Sequence, residues 1–258
     1  MFLMGVHGPK GRVSYFTGAY PSACGKTSTA MIRGETIVGD DLAYLRRING
    51  EVRAVNVESG IFGIIADVNA KDDPVIWDVL TKPGEVIFSN VLNMNGEPRW
   101  LGDKRDIPAA GVNFSGAWTK GKKDADGKDI PHAHKNARYT IRIADLANRD
   151  PKADDPDGCA VAGIIYGGRD SDTNPPVLES FNWEHGVMIG GSQESETTAA
   201  TIGKQGVRAF QPMSNMDFIS LTLGRYLRNH LDFPKGMVAP KIFGTNYFQK
   251  REDGSYMT

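Results

Sequence analysis

The chain has 258 residues, a net charge of −1, and 40% hydrophobic against 24% charged residues. That length can bury one large core or two smaller ones, and the composition is that of a globular protein. The near-zero charge implies no general attraction to nucleic acid or membrane, no apolar run approaches membrane-spanning length, and two cysteines provide no disulfide framework, which suits a reducing, cytoplasmic compartment.

Residues 1–6 read as a strand turning at His7-Gly8-Pro9-Lys10-Gly11, too short and without the basic flank of a signal segment. Residues 13–17 are β-branched and aromatic, a second strand that Pro21 breaks. Ser22-Ala23-Cys24-Gly25-Lys26-Thr27 then carries the second half of a phosphate-cradling pattern: free backbone N–H groups, a lysine for the outer phosphates and a hydroxyl for a magnesium ion. Tyr20 stands where the usual pattern opens with glycine, so the loop takes a different path from an ordinary P-loop. Residues 26–32 contain helix formers and no Gly or Pro. A helix is therefore expected from about Gly25, its N-terminus favouring anions; an ordinary strand-to-helix turn fits the same residues. Cys24, beside Lys26 and that helix start, is expected to be a reactive thiolate.

Residues 35–39 read as a buried strand ending in Asp40 and Asp41. Adjacent carboxylates are costly unless a cation or donors satisfy them. Strand alternation allows one direct metal ligand, with the other holding Lys26 or a metal-bound water; a solvated Asp-Asp turn is the alternative. Asn49-Gly50 predicts a hairpin and Asn95-Gly96 a turn after a strand at 86–91. Residues 120–135 are charge-dense and predict a long exposed loop with His132 and His134 solvated, and 148–158 a connector. Residues 159–166 are an apolar strand expected to be buried on both faces, Cys159 with them. Gly167-Gly168 follow, letting backbone approach a ligand, and Arg169 can fork onto phosphate oxygens or be merely solvated. His185 is read as a satisfied core residue. The run from Gly190 to Ala200 is small and polar and suits a mobile lid, or a helix start capped by Ser195. Residues 216–230 are the best amphipathic helix candidate, with Phe218, Leu221, Leu227 and Leu231 near helical spacing. One α/β domain with mixed sheets is the economical architecture.

Ser22–Thr27, Gly39-Asp40-Asp41, Gly167-Gly168-Arg169, Asn182-Trp183-Glu184-His185-Gly186-Val187 and Ser195-Glu196-Thr197-Thr198-Ala199-Ala200 occur in this order. Together they resemble the GTP-dependent phosphoenolpyruvate carboxykinases from Met1 to about Tyr256. The resemblance implies a P-loop-containing mixed-sheet α/β fold, with residues 1–258 forming a nucleotide-binding domain shorter than the family at both ends. It implies gluconeogenic conversion of oxaloacetate and GTP to phosphoenolpyruvate, GDP and carbon dioxide, by a complete enzyme expected to be monomeric. Implied roles are nucleotide binding by Ala23, Cys24, Gly25, Lys26, Thr27 and Arg169, and catalysis by Ser22, Cys24, Lys26 and Arg138. Substrate binding falls to Ser22, Asn136 and Arg138, and a lid to Ser195, Glu196, Thr197 and Thr198. Catalytic Mn²⁺ would be held by Asp41, and Mg²⁺ would accompany the nucleotide at Thr27. A lysine and a histidine completing the manganese site would precede Met1, so this chain alone is expected to bind nucleotide but turn over slowly. Tyr247, Phe248 and Tyr256 match aromatics that enclose guanine; a two-residue turn at Asp253-Gly254 would put Phe248 and Tyr256 on opposite faces, so the clamp requires a bulge or a longer loop. The chain departs from the family in having Asp170 and Glu194 where arginines are common. A P-loop kinase or hydrolase with another acceptor, and a nucleotide-binding module without catalysis, are the alternatives.

Overall fold

The computed structural model describes residues 1–197, 206–214 and 218–257. The chain divides into two compact units, residues 1–58 with 150–258, and residues 59–149.

The first unit begins with β1 (Phe2–His7), β2 (Val13–Ala19), α1 (Lys26–Ala30), β3 (Thr36–Gly39), β4 (Ala43–Ile48) and β5 (Glu51–Asn56). The second holds β6 (Gly60–Ile64), α2 (Pro74–Thr81), β7 (Val86–Ser89), β8 (Leu92–Met94), β9 (Glu97–Arg99), β10 (Ala110–Asn113), β11 (Gly116–Thr119) and β12 (Arg138–Arg142). The first unit resumes with β13 (Cys159–Gly168), β14 (Val177–Glu179), α3 (Trp183–Gly191), β15 (Glu194–Glu196), β16 (Arg208–Phe210), α4 (Leu223–Asp232) and β17 (Lys241–Asn246).

One mixed sheet organises the first unit in the order β14-β17-β13-β2-β1-β3, with β5 also paired to β13 and β4 to β5. Its centre is apolar because its strands are: Leu3, Val38, Ala54, Ile164 and Ile242 are all at most 1% exposed and share one core with Val187 of α3. Tyr226, Leu227 and Leu231 of α4 pack on this core. The helix starts at Leu223, later than its periodicity suggests; Phe218 is 83% exposed and Leu221 also lies outside, so neither belongs to the apolar stripe. β13 is likewise less buried than its composition predicts, since Ala160 and Ala162 face solvent at its start. The hairpin at Asn49-Gly50 forms as expected: both residues have positive φ (51° and 79°), and Ile48 pairs with Glu51.

The second unit contains a three-stranded sheet, β6-β12-β7, and a four-stranded one, β11-β10-β8-β9. Asn95-Gly96 makes the same positive-φ turn between β8 and β9. Trp100 is fully buried, its indole N–H donating to Val68 O at 2.8 Å. Residues 120–135 form the expected loop, but His132 is buried rather than solvated, its Nε2 3.2 Å from Trp100 O. The helix α2 went unpredicted, although Asp73 at its N-cap and Pro74 at its first position are a start signal.

Candidate active site

Strand direction decides where a site can form in the first unit. β2 and β17 both run parallel to β13, and β3 runs the same way because β3 and β2 are each antiparallel to β1. Their carboxyl ends therefore fall along one edge of the sheet. Residues 20–25, Asp40-Asp41, Arg169 and Tyr247-Phe248 all leave the sheet there. Sheets with parallel strands take ligands at this edge, where the loops splay apart.

The loop at residues 20–25 is shaped by two left-handed positions, Ala23 (φ 56°) and Gly25 (φ 93°). At Ala23 this conformation costs on the order of 1 kcal/mol, strain that the surrounding contacts must hold. Tyr20 turns inward instead of opening the loop. Its hydroxyl lies 3.0 Å from Thr245 Oγ1 and 3.2 Å from the Tyr247 hydroxyl, and its ring lies so close to Gly167 that a Cβ there would collide with it. Tyr247 stacks on Tyr20 and sits against Gly25, buttressing the loop. Sequence reading assigned no such role to either tyrosine, because the partners are more than 220 positions apart.

α1 begins at Lys26, next to Gly25 as expected, and ends at Ala30. Lys26 forms an ion pair with Asp41, while the Thr27 hydroxyl donates to Asp40 Oδ2 at 3.4 Å. Of the two carboxylates, the exposed one thus holds the lysine, and the buried one meets the hydroxyl. Asp40 is 3% exposed and its Oδ1 is buried without a hydrogen-bond partner. Burial pushes the Asp40 pKa up, against the opposing pull of Lys26 and Thr27. Burial likewise lowers the Lys26 pKa, with Asp40 and Glu58 opposing. Glu58 also accepts the backbone N–H groups of Asp41 and Leu42 at 3.0 and 2.8 Å, fixing the Asp-Asp turn. Thr27 Oγ1 and an unpartnered carboxylate oxygen are hard donors of the type a divalent cation prefers. Among the described residues no group of three His, Cys, Asp or Glu could hold a metal by itself. His185 stacks on Phe181 at the start of α3 and accepts its backbone N–H at 3.2 Å.

Cys24 departs from expectation. It is completely buried, its Sγ 3.5 Å from Ser22 O and 3.7 Å from Ser195 Oγ. Burial raises its pKa and outweighs the lowering by Ser195 and Arg169. The thiol is therefore held neutral, not activated.

Arg169 joins the loop to the aromatic pair. Its Nη2 donates to Ala23 O at 2.9 Å, its Nη1 to the Tyr256 hydroxyl at 3.1 Å, and its guanidinium lies 3.7 Å from the centre of the Phe248 ring. Lys250 bridges to Tyr256, so the connection is longer than a two-residue turn, and Phe248 falls on the same face as Tyr256. Their ring centroids are 6.0 Å apart. The longer loop thus meets the requirement set by the sequence.

Ser195 neither caps a helix nor lies in a loose run. Gly190 and Gly191 are buried at the end of α3, and β15 pairs with β16. Ser195 is 2% exposed and accepts the Arg169 N–H at 3.0 Å. Glu196 Oε1 accepts from Ser171, and Thr197 Oγ1 accepts the Val207 N–H at 3.0 Å. Thr198 lies outside the described residues. Asp170 and Glu194, the two charge departures, share one partner: Arg208 is 3.1 Å from Asp170, 2.7 Å from Asp172 and 3.9 Å from Glu194.

In the second unit, Arg138 at the start of β12 donates from Nε to Asn136 Oδ1 at 3.1 Å and covers the Phe62 ring at 5.2 Å. The two candidate substrate residues are thus brought together.

Comparison with known proteins gives a consistent picture. The family described as the phosphoenolpyruvate carboxykinase C-terminal P-loop domain matches residues 1–258. Proteins named phosphoenolpyruvate carboxykinase (GTP) are similar along the chain: 58% identity over 260 residues in Pyrococcus furiosus, 47% over 256 in Saccharolobus solfataricus, and 37% over 267 in Chlamydia muridarum. These alignments cover 100%, 98% and 100% of this chain but only 42%, 41% and 43% of the relatives. The chain therefore spans about two fifths of the length of the curated relatives it matches.

Proposed function

Because this chain belongs to the GTP-dependent phosphoenolpyruvate carboxykinase family, in its C-terminal P-loop domain, we propose that it is the nucleotide-binding part of an enzyme converting oxaloacetate and GTP reversibly to phosphoenolpyruvate, GDP and carbon dioxide. The observation that carries this reading is the convergence of a lysine, a hydroxyl, a buried unpartnered carboxylate and an aromatic pair at one sheet edge. Those groups match the successive parts of a nucleoside triphosphate with its cation.

In this reading the backbone N–H groups of residues 23–27 hold phosphate oxygens, and Lys26 leaves Asp41 to neutralise charge on the transferring phosphoryl group. Such catalysis is mostly positioning and electrostatics. Bound divalent ions would supply charge neutralisation, magnesium at Thr27 with Asp40 and manganese at Asp41. Asp40 Oδ1, buried without a donor, supports the first of these assignments. Asp41, released by Lys26, keeps an exposed carboxylate for the second. Asn136 and Arg138 are proposed for the substrate carboxylate and the transferring phosphate. Ser22 is proposed for the substrate side, and Phe248 and Tyr256 for the guanine base.

Calorimetric titration of the chain with GTP and GDP, with and without magnesium, tests the nucleotide site. Magnesium-dependent GTP binding that is lost in Lys26→Ala is expected; equal binding by both proteins would remove the loop from the site. Phosphoenolpyruvate formation from oxaloacetate and GTP by the polypeptide that carries this chain tests the reaction.

A further inference from the structure

One of the protein's own cations, Arg169, covers the ring of Phe248, a residue proposed above for the base. A base held between two aromatic faces needs them roughly parallel and about 7 Å apart, two van der Waals contacts in thickness. Phe248 and Tyr256 are 6.0 Å apart at 76° to one another, a T-shaped pair with no slot between them. The Phe248 face is covered at 3.7 Å by the Arg169 guanidinium, a planar cation that stacks much as a base would. The same guanidinium holds the Tyr256 hydroxyl at 3.1 Å and, at its other Nη, the carbonyl of Ala23 in the phosphate loop at 2.9 Å.

Arg169 is held at rest by neutral partners, the Ala23 carbonyl, the Tyr256 hydroxyl and the Phe248 ring. Its Nε is buried without a hydrogen-bond partner, and the neighbouring carboxylate of Asp170 is paired with Arg208 instead. Its backbone, by contrast, is fixed: Ser195 Oγ accepts its N–H, and its carbonyl accepts the Glu196 N–H at 2.8 Å. A movement of the side chain would leave this backbone anchor in place. An anion arriving in the loop offers what the carbonyl and the ring do not, a charged acceptor for the fork. Moving toward it vacates the Phe248 face.

We propose that Arg169 is a specificity-determining residue that occupies the base-stacking face of Phe248 until phosphates in the loop draw it away, so that the clamp opens for a phosphorylated nucleoside and resists the bare nucleoside. The proposal rests on the nucleotide reading given above. It makes the two halves of the ligand interdependent through one side chain: the base gains its platform only when the phosphates take its occupant.

The test uses guanosine and magnesium GTP as separate probes in calorimetry. Arg169→Ala is expected to bind guanosine tighter than the parent protein, by roughly three- to tenfold, the scale of a displaced cation–π contact. The same variant is expected to bind GTP more weakly, by roughly tenfold or more, because a charged phosphate contact is gone. Opposite signs support the proposal. Guanosine affinity that is unchanged or weaker in the variant, with GTP binding still dependent on Lys26, overturns it and leaves the nucleotide reading standing. Failure of both probes to bind the parent protein overturns both. A second measurement does not depend on the variant folding: in the nucleotide-free protein the Arg169 Cδ protons should show an upfield ring-current displacement from Phe248, lost on adding magnesium GTP. Absence of that displacement, or its persistence with GTP bound, overturns the proposal.

Discussion

At the scale of single residues, burial reverses what neighbouring charge suggests. Cys24 stands next to a lysine in sequence, yet its thiol faces Ser22 and Ser195 in the interior, so desolvation raises its pKa. Cys159 is also fully buried, and burial, with Asp150 adding to it, pushes its thiol up to about 11. Both cysteines are therefore expected to alkylate slowly at neutral pH, far more slowly than in the urea-unfolded chain. Timed iodoacetamide labelling with peptide mapping checks this, and rapid loss of the Cys24 thiol from the folded protein would contradict its placement. Lys26 shows the other side of the balance. Burial lowers its pKa against the pull of Asp40 and Glu58, its ammonium is paired with Asp41, and in the proposed reading it turns to phosphate once that ion pair opens. Lys26→Ala is expected to cost about 2–5 kcal/mol of GTP binding, the range for removing one partner of a desolvated charge contact. Thermal melting should change little, because the side chain is only partly buried.

At the scale of elements, loops are positioned by the partners they find far away in sequence. Gly167, the penultimate residue of β13, has the Tyr20 ring laid on it, leaving no room for a methyl group. Gly167→Ala is expected to destabilise by roughly 1–3 kcal/mol through overpacking and to weaken nucleotide binding with it, since Tyr20 begins the loop. Equilibrium urea unfolding measures the first effect and calorimetry the second. The turn after Arg169 depends on Asp170, 2% exposed. Burial alone would raise its pKa, but donors from Thr173, Asp172 and Arg208 outweigh burial and bring it down to about 2. The unfolded value is about 3.9. A folded pKa below the unfolded one means stability that is fully present above about pH 4 and is lost as pH falls towards 2. The difference in unfolding free energy between the parent protein and Asp170→Asn should therefore shrink over that window, by about 1–2 kcal/mol. A difference independent of pH between 6 and 2.5 would show that the carboxylate charge is not what holds the turn.

At the scale of the whole chain, two compact units are built from one sequence, with residues 59–149 inserted into the other unit. The inserted unit has its own core, including Ile61, Ile65, Leu92, Trp100, Tyr139 and Ile141, all at most 2% exposed. Its first and last strands pair directly, Gly60 with Arg142, so the insertion begins and ends at one place. A polypeptide of residues 59–149 is expected to fold by itself with a single cooperative transition. Its three tryptophans, Trp77, Trp100 and Trp118, against only Trp183 in the other unit, let fluorescence follow that transition. A spectrum of unfolded indoles in water would refute the expectation. Among the described residues no helix is long and apolar enough to cross a membrane.

Local chemistry was legible in the sequence and long-range chemistry was not. The phosphate loop, the strand before it, the helix start at Lys26, the Asn-Gly hairpins and the need for a longer loop before Tyr256 follow from φ preferences, donor inventory and side-chain alternation, all set within a few residues. The ordered motifs also identified the family, because each is a short string. Tertiary structure alone decided which of Asp40 and Asp41 would be buried, that Tyr20 would fill the space over Gly167, that Cys24 would be neutral, and that Arg169 would lie on Phe248. The physical reason is common to all four. Each depends on desolvation or contact supplied by strands that are distant in sequence and become neighbours only when β2, β13, β17 and β3 align their carboxyl ends.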